Sequence, residues 1–119
     1  MIERIAWGLL AALHVIPALA FFRPALIARL YGIEAGGLAF TLLQHRAALF
    51  LAVVVVCVYA AFDPASRRIA TVAVAISMVS FLFVWATSGH PAALRGIALA
   101  DAIGLLPLAY VAWRAFARD

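Results

Sequence analysis

Gln44, His45 and Arg46 stand consecutively inside an otherwise apolar stretch, Leu38 to Phe62. About 20 apolar residues suffice to cross a bilayer as a helix, and this stretch is long enough. Ionisable groups at such depth are expensive, face a protein interior or a water-filled cavity, and mark sites. Polar residues interrupt the other apolar stretches too, namely His14, Ser77, Ser80 and Asp101. A carboxylate, two imidazoles and hydroxyls supply a general acid, a general base and polar anchors. Within this set Asp101 and His45 read as the acid–base pair, and Arg46 as the group that holds a developing negative charge. His14, Gln44, Ser77 and Ser80 read as ligand-binding side chains.

Four apolar runs must position these residues: Ile5–Phe22, Leu38–Phe62, Ile69–Thr87 and Leu94–Phe116. Helix breakers separate them: Arg23-Pro24 through Gly36-Gly37, then Asp63-Pro64, then Gly89-His90-Pro91. The predicted fold is all-α: a polytopic membrane protein with four transmembrane helices in one domain spanning residues 1–119. A short amphipathic helix is expected over Pro24–Tyr31, lying in the interface between the first two spans and held there by Arg23, Arg29 and Tyr31. Ala18-Leu19-Ala20 imitates a signal-peptide cleavage site, but Glu3 weakens the positive n-region and His14 interrupts the apolar core, so this segment reads as a retained span.

The polar residues agree in depth. His14 lies eight residues before Phe22, His45 seven after Leu38, Ser80 seven before Thr87 and Asp101 seven after Leu94. At ~1.5 Å per residue all sit on the order of 10–12 Å below one membrane face. Thr41, His45, Ala48 and Ala52 form one stripe at helical spacing, with Arg46 turned ~100° from it. The fourth run carries Ala92, Gly96, Ala100 and Gly104 at four-residue spacing, a seam that lets helices approach closely in lipid. Gly8 and Ala12 make a shorter version on the first run. Asp101 sits one position off the seam and should border a tight helix contact. The bland alternative is a self-satisfied polar network that only fixes helix register.

Composition excludes much else. Of the 119 residues 69% are hydrophobic, against ~45–50% in soluble domains. All nine basic residues are arginines, set mostly at the ends of apolar runs. That placement suits headgroup anchoring and not nucleic acid, which would call for a basic stripe with interleaved aromatics. Arg4, Arg67, Arg68, Arg114 and Arg118 fall on one side with both termini, and Arg23, Arg29 and Arg95 on the other, which predicts cytoplasmic termini in a bacterial inner membrane. Cys57, the single cysteine, permits no intrachain disulfide and reads as apolar filler. No metal-ligand spacing is present, and His90 should be solvated in its turn. His14 and His45, on different helices at one depth, could ligate a b-type haem if they faced each other across a crevice.

Leu30-Tyr31-Gly32-Ile33, Gln44-His45-Arg46-Ala47-Ala48-Leu49-Phe50, Ile76-Ser77-Met78-Val79-Ser80-Phe81 and Ala93-Leu94-Arg95 with Ala100-Asp101 resemble a set of small bacterial four-helix membrane proteins. The resemblance covers nearly the whole chain, and its His-Arg-Ala motif is the most specific part. Members often carry the name phosphopantetheine adenylyltransferase, and the architecture is more distantly similar to DoxX-like membrane proteins. That enzymatic name implies a soluble α/β protein with a phosphate-holding Thr-x-Gly-His turn. Thr87-Ser88-Gly89-His90 has those letters, yet no strand precedes it and the chain contains no lysine. The resemblance therefore implies the fold and the importance of His45, Arg46, Ser77, Ser80 and Asp101.

Three functions fit. The first is a buried polar pocket in the outer half of the bundle that binds a small lipophilic molecule and converts it by proton transfer. The second is a proton relay or transporter acting as a homo-oligomer. The third is a non-catalytic accessory subunit that docks through the Gly96 seam. A closed cavity at the level of His45 favours the first, a continuous water path the second, and an exposed seam the third.

Overall fold

The break between the first two long helices is made by glycine. Gly32 closes a short helix with φ +65°, its N–H donating to the Ala28 carbonyl at 3.0 Å, and Gly36 and Gly37 follow at +90° and +86°. Such angles suit a residue without a Cβ and stop helix propagation. The computed structural model, which describes residues 1–117, has five helices: α1 (Ile2–Leu19), α2 (Ala25–Tyr31), α3 (Gly37–Phe62), α4 (Arg67–Thr87) and α5 (Arg95–Phe116). α1, α3, α4 and α5 are long and apolar enough to cross a membrane. The protein is an all-α four-helix bundle with a short fifth helix. Arg118 lies outside the described residues.

The joint between α3 and α4 is a tight turn at Asp63-Pro64. The Asp63 carboxylate accepts from the Ser66 backbone N–H at 3.1 Å, and the Ser66 hydroxyl returns a bond to the Asp63 carbonyl at 2.9 Å. α4 begins at Arg67, two residues before the apolar run, because both arginines find partners at this end. Arg67 donates to the carbonyls of Ala60 (2.9 Å) and Ala61 (3.3 Å), and Arg68 to that of Ala115 (3.0 Å). Arg67 also donates to Glu3 Oε2 at 2.5 Å, while Arg114 donates to Glu3 Oε1 at 2.7 Å. One carboxylate on α1 thus ties α4 and α5 together.

α1 is the central element. Ala6, Trp7, Leu10, Ala11, His14 and Ala18 recur at three- and four-residue spacing and are all buried, so the stripe faces neighbours along the whole helix. It packs mainly against α3 and α5, and α4 leans on α5. Trp7, Leu10, Cys57, Val74, Met78 and Val111 fill the main core. Outward faces carry Leu42, Val55, Phe83, Leu99 and Leu106, as a bundle bathed in lipid requires.

Two expectations need adjusting. Of the two glycines of the small-residue seam only Gly104 is closely packed: an added Cβ there would fall 2.6 Å from Met78 Cε and 2.7 Å from Leu13 Cδ1. At Gly96 and Gly8 an added Cβ would meet nothing within 4 Å. α2 also differs from a helix held at the interface by its tyrosine. Tyr31 is buried with Ile27, Ala20 and Ala47, because its ring is needed against Arg46 and not against headgroups.

Candidate functional site

α3 and α4 are joined by the short Asp63–Ser66 turn but touch each other little above it. The space between them is a groove of about 590 Å³, open to the surface. That is within the ~300–1,000 Å³ typical of small-molecule sites. Its walls are mostly apolar, with Val53, Ala73 and Ile76 toward the turn and Trp85 and Pro91 toward the other end. The polar side chains on it are Arg46, Ser77, Ser80 and Ser88.

Arg46 sits midway along the groove and is half-buried. Its guanidinium carbon lies 4.9 Å from the ring centroid of Phe50, 4.9 Å from that of Phe81 and 5.8 Å from that of Tyr31. Cation–π attraction within ~6 Å contributes roughly 0.5–2 kcal/mol per contact, more where water is excluded. Helical spacing explains the cage: Phe50 is one turn beyond Arg46 on α3, α4 brings Phe81 across, and α2 delivers Tyr31 from its last residue. Burial pushes the Tyr31 phenol above its usual range, and the Arg46 charge works against that shift. Arg46 makes no ion pair with Asp101 among the described residues.

Asp101 is buried, 8% exposed, one turn from Gly104 on the inward face of α5. The expected tight contact beside it is that of Gly104 with Met78 and Leu13. His14 is buried deeper still, at 1% exposure. Its Nδ1 donates to the Leu10 carbonyl at 2.7 Å, which leaves Nε2 as an acceptor, buried without a partner among the described residues. The His14 ring lies 5.8 Å from that of Phe50, tilted by 36°. His14 and Asp101 are thus inside the bundle, and Arg46 and Ser77 are on the groove wall.

His45 is placed elsewhere. It is exposed, as are Thr41 and Ala52 on its stripe, and it is not on the groove wall. The reason is rotational: packing α3 on α1 through Ala47, Phe50 and Cys57 turns Arg46 to the groove and His45 to the outer surface. Asp101 and His45 are not brought together. The two imidazoles do not face each other across a crevice either, since one is inside and the other outside. Gln44 is half-buried and also off the groove wall. Ser80 lines the groove near its mouth, its hydroxyl donating to the Ser77 carbonyl at 3.3 Å. His90 is exposed, its ring set edge-on to Trp85 at 4.6 Å, and the Trp85 indole N–H donates to the Pro91 carbonyl at 3.2 Å.

Sequence reasoning did not find the aromatic cage or the Glu3 clamp. Phe50 one turn beyond Arg46 was a usable signal, whereas Tyr31 and Phe81 arrive from other helices and carried none. Among the described residues no group of three or more His, Cys, Asp or Glu side chains is placed to hold a metal ion. No family model, curated protein or solved structure matches the chain.

Proposed function

We propose that this protein binds a small lipophilic molecule in the groove between α3 and α4, entering sideways from the bilayer. The observation that carries this reading is the placement of Arg46. Its guanidinium lies against three aromatic rings, halfway along a mostly apolar groove of ligand size. Apolar walls with a few convergent polar groups are the usual form of such a site. Asp101 is a buried acidic group elsewhere in the bundle, and Ser77 offers a hydroxyl on the groove wall with Arg46. The reading is of binding alone, since His45 is exposed off the groove wall while Asp101 is buried inside the bundle. We place the chain in a bacterial inner membrane with both termini cytoplasmic, on the arginine bias.

Native mass spectrometry of gently solubilised protein tests the proposal. We expect a retained molecule lighter than a two-chain phospholipid, lost when Ala73→Phe fills the apolar end of the groove. An unliganded wild-type mass, or a retained mass indifferent to Ala73→Phe, would contradict it.

One observation favours a second reading, in which α5 docks on another membrane helix. Ala92 and Gly96 are exposed, and an added Cβ at Gly96 meets nothing. A Gly96→Cys variant in a Cys57→Ala background should then cross-link to a partner or a second copy in native membranes, and a purely monomeric species would remove this reading.

A further inference from the structure

We infer that the occupant of the α3–α4 groove is a single-chain amphiphile with a carboxylate head, of the long-chain fatty acid class, seated with its head on Arg46 and its tail toward Val53, Ala73 and Ile76. This rests on the groove being a ligand site, and it adds the identity of the head and the direction of the tail.

The head follows from the state of Arg46. Among the described residues the guanidinium makes no ion pair, and the groups that hold it are ring faces, which use its positive charge but leave its in-plane N–H donors unspent. Asp101 makes no ion pair with it among the described residues. A half-buried guanidinium with no hydrogen-bonded partner in an apolar groove is suited to a counter-ion. A carboxylate matches its fork with two parallel bonds, the strong bidentate geometry. The rings accept no conventional hydrogen bond, so the guanidinium N–H donors remain available for that fork. The Ser77 hydroxyl, one helical turn from Phe81 on the same wall, can donate a further bond.

The tail follows from the shape. Toward the Asp63–Ser66 turn the wall ends in Val53, Ala73 and Ile76, all apolar, with Ser77 and Ser80 between these and the level of Phe81 and Arg46. Above Arg46 lie Ser88 and the Trp85–Pro91 bond, a more polar end suited to the exit of a head and not to a chain. With Arg46 midway along the groove of about 590 Å³, the tail side holds on the order of 10 methylene-sized groups, at ~30 Å³ each as for a water molecule, and the rest of the chain leaves through the open side. The space takes one alkyl chain; a two-chain phospholipid would leave its second chain outside.

Photo-cross-linking in phosphatidylcholine nanodiscs separates this inference from the reading beneath it. The probes are palmitic acid carrying a mid-chain diazirine and the methyl ester of the same molecule, with labelled residues mapped by peptide mass spectrometry. We expect the acid to label Val53, Ala73 or Ile76 about tenfold more than the ester, as a charge-assisted pair implies. Arg46→Gln should bring the acid down to the ester, and Arg46→Lys should recover part of the difference. Equal labelling of the groove by acid and ester in the wild type overturns the carboxylate head and leaves the groove site standing. Labelling of the groove no stronger than that of lipid-facing Leu99 and Leu106 overturns both. The acid-to-ester comparison is made within the wild-type protein, so it decides the matter even if an Arg46 variant does not fold.

Discussion

At the scale of single residues, Arg46 on the groove wall and Asp101 inside the bundle make no ion pair with each other among the described residues. A carboxylate and a guanidinium so placed in a mostly apolar bundle can act on each other only through space. We expect Asp101→Ala to lower stability by roughly 1–3 kcal/mol, the cost of a lost charged partner that was not in direct contact. Asp101→Asn should lose less, because the amide keeps the volume and can accept a hydrogen bond. Thermal midpoints in one detergent measure both, and the Arg46→Gln, Asp101→Asn double variant should depart from additivity by at least ~0.5 kcal/mol. Additive losses would mean two unrelated structural residues. His45 makes the opposite case: exposed on the outer face of α3, it should tolerate His45→Ala within ~0.5 kcal/mol and with unchanged ligand retention. Sequence spacing placed it in the polar layer because depth is legible from residue counts, whereas rotation of a helix about its axis is not. One residue along α3 is ~100° of rotation, and that difference puts Arg46 in the groove and His45 outside.

At the scale of elements, the four long helices were legible because proline and glycine mark every joint, and α3 and α5 begin within one residue of the expected positions. α1 was less so: its apolar run continues to Phe22, but the helix ends at Leu19, just past Pro17, and closes through i→i+3 bonds from Phe21 and Phe22. The small-residue seam was legible as a pattern, but its partner was not, since spacing alone does not say which segment of a face is covered. Gly104 and Gly96 on α5 allow a matched comparison. Gly104→Leu drives a side chain into the space held by Met78 and Leu13 and should cost about 1–3 kcal/mol or more by overpacking. Gly96→Leu enters open space and should be neutral or slightly stabilising, since leucine outranks glycine by just under ~1 kcal/mol in helix propensity. Equal midpoints for the two variants would deny the close contact at Gly104.

At the scale of the whole molecule, the bundle is closed at one end and parted along one side. Glu3 holds Arg67 and Arg114 at the closed end, tying the first residues of the chain to α4 and α5. Glu3→Gln should lower the thermal midpoint and make the Arg67→Gln and Arg114→Gln losses smaller than in the wild type, as expected of one shared network. The same arginines set orientation. In a Cys57→Ala background, a cysteine at Ser66 should resist membrane-impermeant maleimide in intact cells while one at Ser88 labels, and the reverse would invert the topology. At the parted side, α3 and α4 leave a groove that the α1-centred core does not fill, and the account stands or falls on whether something occupies it. Ala73→Cys, on the groove wall, and Leu99→Cys, on the lipid-facing surface of α5, can each be titrated with a lipid-soluble maleimide in the Cys57→Ala background. The groove position should react slowly in native membranes and much faster after transfer into phosphatidylcholine nanodiscs stripped of other lipids, with Leu99→Cys reacting alike in both. The same change at both positions, or none at Ala73→Cys, would contradict an occupied groove.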